Sequence, residues 1–283
     1  MGNLTSEKRK PNLRDFLLFL LFLALLAIPI YFAYTVLQPK VKIFDQPQET
    51  EEVEEIKEEE EKEEEEVYDG PPYLEVYETI EGQPAYIAVP APINPKNPPA
   101  IILYSHGSNT EVSFDTDEEF MQDLHTYGVF FTENDYIFAA SNQHGANWGN
   151  KESIQDNINL IAWINERYDT KDKVNMIGYS MGGLPTMNFA SDYPERVNKI
   201  ALLAPTTRSN EWNADRVARI KDIDIKIWHG TADVNVPYSL STIFVNTLKN
   251  LGKEVELITL EGKTHWDIHT EYMEDILEFF NQE

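Results

Sequence analysis

The 283-residue chain contains no cysteine. Disulfides, thiolate metal sites and a cysteine nucleophile are therefore excluded. Positive charge is also scarce, with 23 Lys and Arg against 49 Asp and Glu and a formal net charge of −26. Nucleic acid needs clustered Lys and Arg to meet its phosphates, so a nucleic-acid partner is not expected. Broad electrostatic adhesion to anionic lipid heads is disfavoured for the same reason. The chain carries no internal repeat, and nothing in it calls for a metal or an organic cofactor.

What charge there is lies unevenly. Residues 1–48 hold six Lys and Arg against three Asp and Glu, whereas residues 49–66 hold thirteen Glu and two Lys. From Phe16 to Leu37 run 22 residues with no charged side chain. At ~1.5 Å rise per residue such a run suffices to span the ~30 Å hydrocarbon core of a bilayer. Lys8, Arg9, Lys10 and Arg14 precede it. The positive-inside rule then places residues 1–15 in the cytoplasm and everything after Leu37 outside. A cleaved signal peptide would have an apolar core of about 7–15 residues and a small-residue cleavage site. This core is longer and no Ala-x-Ala follows, so a transmembrane anchor that stays attached is expected. Residues 38–69 read as an acidic, extended or disordered linker, too poor in apolar side chains to fold by themselves.

From about residue 70 the texture is that of a folded domain reaching to 283. Candidate strands are Leu74–Ile80, Ala85–Val89, Ala100–Tyr104, Tyr136–Ala140, Val174–Gly178, Lys199–Leu203, Ile225–Trp228 and Glu254–Leu260. Helical spacing marks Ser153–Tyr168, Gly182–Tyr193, Tyr238–Leu251 and Glu271–Phe280. An antiparallel start followed by alternating strands and helices predicts an α/β fold with a mostly parallel sheet covered on both faces. Functional loops then gather at the carboxyl ends of the strands.

The strongest chemical signal is Gly178-Tyr179-Ser180-Met181-Gly182-Gly183, placed between an apolar strand and a helical pattern. A serine presented on such a tight strand-to-helix turn needs small neighbours two residues away on each side, which Gly178 and Gly182 supply. A serine hydroxyl is a poor nucleophile until a base takes its proton, so a histidine and an orienting carboxylate should follow. Of six histidines, His265 stands in the loop between the last strand and the last helix, the position expected of the base. His106 and His229 each end a strand before a glycine, an arrangement that is usually structural; His125 falls in a helical pattern and His269 near the last helix. Asp233, just after the seventh strand, is the candidate acid. Asp267 is too near His265 in sequence to orient its ring, and Asp222 and Asp224 precede their strand. Backbone N–H groups of Met181 and of Ser108, in the loop after the third strand, are the candidate oxyanion hole. Asn109, Tyr179, His144 and Trp148 are candidate substrate-pocket residues. The last two lie in a polar-aromatic loop after the fourth strand that either walls the pocket or serves as a connector with Trp148 packed inward.

The HGSN turn at His106–Asn109, the GYSMGG elbow, the HGTAD loop at His229–Asp233 and the GKTHW loop at Gly262–Trp266 together resemble the α/β-hydrolase superfamily. The resemblance covers about residues 70–283 and is nearest to the prolyl-oligopeptidase, dienelactone-hydrolase and esterase branch. It implies a central sheet of about eight strands and acyl transfer to water through a covalent acyl-enzyme. Serine rather than aspartate at the elbow disfavours dehalogenase and epoxide-hydrolase chemistry, and serine rather than cysteine disfavours the dienelactone reaction itself. A carboxylic-ester hydrolase is the leading expectation. A serine peptidase is the alternative within that class, weakened by the absence of the large propeller of oligopeptidases, and a membrane-tethered binding protein on a dead hydrolase fold is the alternative outside it. About twenty residues separate Pro205 from Ile225, too few for a large cap domain.

Overall fold

A computed structural model of the protein describes residues 68–282. The expected anchor at 16–37, and the acidic stretch as far as residue 67, lie outside the described residues. Among those described, no helix is long and apolar enough to cross a membrane.

The eight strands are β1 (Tyr73–Ile80), β2 (Gln83–Pro90), β3 (Ala100–Ser105), β4 (Tyr136–Ser141), β5 (Val174–Tyr179), β6 (Val197–Leu203), β7 (Asp224–Gly230) and β8 (Glu256–Leu260). They form one sheet in the order β1-β2-β4-β3-β5-β6-β7-β8. The β1–β2 and β2–β4 pairs are antiparallel and all later pairs are parallel. The helices are α1 (Glu119–Thr132), α2 (Lys151–Asn165), α3 (Gly183–Asp192), α4 (Ala214–Arg219), α5 (Tyr238–Asn250) and α6 (Met273–Asn281).

Period-two alternation in strands buried on both sides sorts the core into two layers. In β3, Ile101 and Leu103 face a layer containing Ile154, Ile161 and Ile164 of α2, Phe189 of α3 and Phe244 of α5. Ile102 and Tyr104 face the other layer, with Leu124, Tyr127 and Phe131 of α1 and Ile276 and Phe279 of α6. The buried residues of α1 recur at Phe120, Leu124, Tyr127 and Phe131, a stripe of helical period. Gly128 lets that helix lie close on β2, since a Cβ there would come within 2.2 Å of the Tyr86 hydroxyl.

The strand order places the site. After β3 the chain adds β4 on one side and then returns to add β5 on the other. In such parallel sheets the crevice outside the carboxyl ends opens where the order reverses. Ser105 at the end of β3 pairs in register with Gly178 near the end of β5. The loop after β3 and the turn after β5 therefore emerge side by side.

Candidate active site

Strand β5 is buried throughout and runs directly into a 3-10 turn, Ser180–Gly182, which leads into α3. Ser180 has φ of +53°. That left-handed backbone costs a non-glycine residue on the order of 1–2 kcal/mol and persists only where its surroundings enforce it. Enforcement comes from the Thr206 N–H, which donates to the Ser180 carbonyl at 2.7 Å. It also comes from close packing: a Cβ on Gly182 would lie 1.9 Å from the Ser105 carbonyl oxygen, and one on Gly178 would lie 2.8 Å from the Gly182 carbonyl oxygen. The two glycines expected from the motif are sterically required.

The loops after β7 and β8 complete the arrangement. His265 is buried, with Nε2 3.0 Å from Ser180 Oγ and Nδ1 2.7 Å from Asp233 Oδ2. The other carboxylate oxygen of Asp233 accepts the N–H groups of Asn235 at 2.9 Å and Val236 at 2.8 Å. Tyr179 donates its hydroxyl to the His265 carbonyl at 3.1 Å and lays its ring beside the imidazole, fixing the histidine loop to the elbow strand. Burial raises the pKa of this phenol, so it stays a donor at neutral pH. Asp267 turns away: it accepts the backbone N–H and hydroxyl of Thr264 at 2.8 and 2.7 Å, and these bonds hold its carboxyl below the usual range.

His229 has more to do than its place at a strand end suggested. Its ring is fully buried, and Nε2 lies 2.8 Å from the Val236 carbonyl and 3.2 Å from Asp233 Oδ2. A carbonyl only accepts, so Nε2 carries the proton, while Nδ1 accepts from the Ser241 hydroxyl at 2.7 Å. Burial lowers the pKa of the ring below 6.5 and keeps it neutral, in agreement with that single proton. Two histidine N–H groups thus converge on one oxygen of Asp233. Sequence placed the two side by side, because His229 and Asp233 open and close the five-residue HGTAD loop.

The remaining histidines are accounted for elsewhere. His106 is buried, with Nε2 2.9 Å from the Asn142 carbonyl and Nδ1 2.7 Å from the Gly107 carbonyl, tying the end of β3 to the loop after β4. His125 pairs with Glu75 at 2.7 Å, and His269 pairs with Asp123 at 3.1 Å and with the Tyr104 hydroxyl. His144 is a correction to the expected pocket. It does not line the cavity; its Nδ1 lies 2.7 Å from Asp156 Oδ2 on α2, because left-handed backbone at Gln143, His144 and Gly145 turns the side chain toward that helix.

A cavity of about 280 Å³ opens over Ser180 and His265, lined in part by Ser108, Asn109, Tyr179 and Trp148. Gly107 brings the loop after β3 against the nucleophile, a Cβ there lying 3.5 Å from Ser180 Cβ. The Ser108 N–H enters no backbone hydrogen bond among the described residues. Met181 sits in the first turn after Ser180, where an N–H lacks an intrahelical partner. Chemically the arrangement can take a proton from Ser180, hold it on His265 and present N–H groups to a developing oxyanion. Among the described residues no cluster of three or more His, Asp or Glu is placed to hold a metal ion.

Comparison with known proteins agrees with this geometry. Residues 134–224 match the model of the alpha/beta hydrolase fold, and residues 204–283 match that of the prolyl oligopeptidase family. The chain belongs to the α/β-hydrolase superfamily. A homoserine O-acetyltransferase from Corynebacterium glutamicum is 33% identical over 81 residues, 27% of this chain and 22% of that protein. The chain spans between 11 and 22% of the length of the curated relatives it matches. Among solved structures, a thermostable esterase superposes with a TM-score of 0.56 at 19% identity, covering 74% of this chain and 62% of that one. An acylaminoacyl peptidase from Pyrococcus horikoshii gives 0.54 at 14% identity, covering 75% and 41%. At these identities the structural likenesses speak for the fold alone. The segment between β6 and β7, where many such folds carry a cap, holds only a 3-10 turn, Ser209–Glu211, and the six-residue α4.

Proposed function

We propose that the chain is a membrane-anchored serine hydrolase that cleaves carboxylic esters on the outer side of the membrane. One observation carries the chemistry: His265 bridges Ser180 Oγ at 3.0 Å and Asp233 Oδ2 at 2.7 Å. Ser180 Oγ attacks the ester carbonyl carbon as its proton passes to His265 Nε2, and the carbonyl oxygen becomes an oxyanion facing the Met181 and Ser108 N–H groups. The intermediate collapses by expelling the alcohol, which takes the proton from His265. Water then attacks the acyl-enzyme, giving its proton to His265. Collapse of the second intermediate releases the carboxylic acid and returns the proton to Ser180. Asp233 holds the ring throughout and stabilises the imidazolium.

The anchor at 16–37 and the acidic stretch after it support the outward placement, by charge bias and length. A peptidase reading is favoured by one observation, the match of residues 204–283 to the prolyl oligopeptidase family.

The full chain in detergent separates these readings. A fluorophosphonate probe is expected to label Ser180, p-nitrophenyl acetate to be hydrolysed and peptide p-nitroanilides to be left intact. Ser180→Ala is expected to abolish labelling and lower kcat by about 10⁴- to 10⁶-fold. Labelling with turnover of peptides alone would promote the peptidase, and no labelling at all would leave the inactive binding protein. Protease added to intact cells is expected to degrade the domain; protection would overturn the orientation.

A further inference from the structure

Two of the five tryptophans, Trp148 and Trp266, line the catalytic cavity, and both hold a large share of their surface in water, 47% and 58% exposed. Trp212 and Trp228 are buried, and Trp163 lies under the Arg167 guanidinium. Trp266 follows the proposed base directly and meets its ring edge-on, centroids 5.3 Å apart.

Trp148 is held in place against its own backbone preference. Its φ of +52° is a conformation that bulky residues rarely adopt, and an outlier of that kind survives only where neighbours enforce it. Here the whole loop from Gln143 to Gly149 is pinned. Gln143 is buried and donates to Ser105 Oγ at 3.1 Å and Asn157 Oδ1 at 2.7 Å, and His144 is tied to Asp156. On the far side Asn147 accepts the Gly149 N–H at 2.8 Å. Asn188 donates to the Gly149 carbonyl at 2.8 Å and is itself gripped by Arg216. Such bracing fixes the backbone that carries Trp148, and its half-bare indole lines the cavity.

The rest of the lining has a distinct chemistry. Ser108, Asn109, Thr110, Thr206 and Asn235 offer hydroxyls and amides. Asn235 gives its backbone N–H to Asp233, and its side-chain amide stands in the lining. No Asp, Glu, Lys or Arg stands among the residues lining this cavity, in a chain whose net charge is −26. A neighbouring cavity that shares Asn109, Thr110, Tyr179 and Trp266 bears Glu111, Glu118, Glu119 and Asp123, whose field opposes an anionic substrate.

We infer that the esters cleaved are O-acyl groups on neutral carbohydrate, with Trp148 and Trp266 as the platform for sugar rings. This rests on the ester-hydrolase reading and adds its substrate class. The C–H face of a sugar ring is weakly positive and packs on the negative face of an indole. Its hydroxyls both donate and accept, as the neutral amides and hydroxyls of the lining require. A small alkyl ester needs neither exposed indoles nor free amides. An aromatic acyl group would use an indole and leave the polar side chains unanswered.

The test compares kcat/KM of the full chain on an O-acetylated xylo-oligosaccharide with that on methyl acetate, in the native protein and in Trp148→Asn and Trp266→Ala. Asparagine tolerates the left-handed backbone of position 148, so its loop is retained. The native protein is expected to prefer the sugar ester, and each substitution to lower that preference about tenfold, mainly through KM, with Trp148→Tyr restoring part of it. In a Ser180→Ala background, unacetylated xylotetraose is expected to quench tryptophan fluorescence saturably. A preference unmoved by both substitutions, or a preference for methyl benzoate over the sugar ester, overturns the proposal while leaving the ester hydrolase standing. Failure on methyl acetate, methyl benzoate and sugar ester alike overturns the ester-hydrolase reading itself.

Discussion

Asp233 works through saturation of its acceptors. One oxygen takes two backbone N–H groups of its own turn, and the other faces the N–H of His265 and that of His229. A carboxylate so surrounded cannot swing, and the imidazole it orients keeps Nε2 toward Ser180. His229 therefore positions the acid rather than touching the reacting atoms. Replacing it by Phe leaves the Val236 carbonyl and the Ser241 hydroxyl unpaired and removes the second N–H from Asp233. A hydrogen bond to a charged group is worth about 1.5–3 kcal/mol, roughly ten- to a hundredfold in rate. His229→Phe is expected to lower kcat/KM on p-nitrophenyl acetate by that factor and His229→Gln, which keeps an N–H donor, by less. Equal activity in both would remove His229 from the machinery.

The element that decides the site is the strand–turn–helix of β5, the Ser180 turn and α3. Its geometry depends on two missing side chains, and the two are not equal to other glycines nearby. At Gly182 a methyl group would overlap the Ser105 carbonyl, which belongs to the neighbouring strand and cannot retreat without breaking the β3–β5 pairing. Gly182→Ala is expected to destabilise the fold by about 3 kcal/mol or more. In a domain of this size that is a fall of about 6–12 °C in the thermal midpoint, read by circular dichroism. Gly107→Ala is the control, since its new methyl group meets nothing nearer than 3.5 Å and the protein is expected to melt close to the native temperature. Equal losses from the two would contradict the packing account of the elbow.

At the scale of the whole domain, buried titratable groups set a pH dependence. Burial holds the pKa of His106 and of His229 below 6.5 in the folded protein. Below that pH the unfolded chain takes up protons that the native rings refuse, so stability rises with pH through this window and falls as pH drops. Asp156, raised by burial, acts in the opposite sense closer to its ordinary carboxylate range. Urea midpoints are thus expected to decline from pH 8 to 5.5, and His229→Gln to reduce the decline. A flat profile over that range would show that the two rings take up protons as readily in the fold as in the unfolded chain.

Much of this molecule was readable one residue at a time. Strand and helix periodicity marked all eight strands and four of the six helices, because burial on both faces of a parallel sheet leaves unbroken apolar runs. Ser180, Asp233 and His265 were readable because each follows a strand end, and in this fold strand ends converge. Local pattern says nothing, however, about where a ring points once backbone turns left-handed. His144 and Trp148, four residues apart in one loop, were equivalent candidates, yet one is tied back to α2 and the other is braced at the cavity. His229 and Asp233 share the HGTAD loop, but only the turn after β7 brings His229 Nε2 within 3.2 Å of the Asp233 oxygen that also faces His265. Sequence determined which residues could do chemistry and on which strand ends they stand; tertiary packing decided which of them meet, since only contact across strands fixes the direction of a side chain.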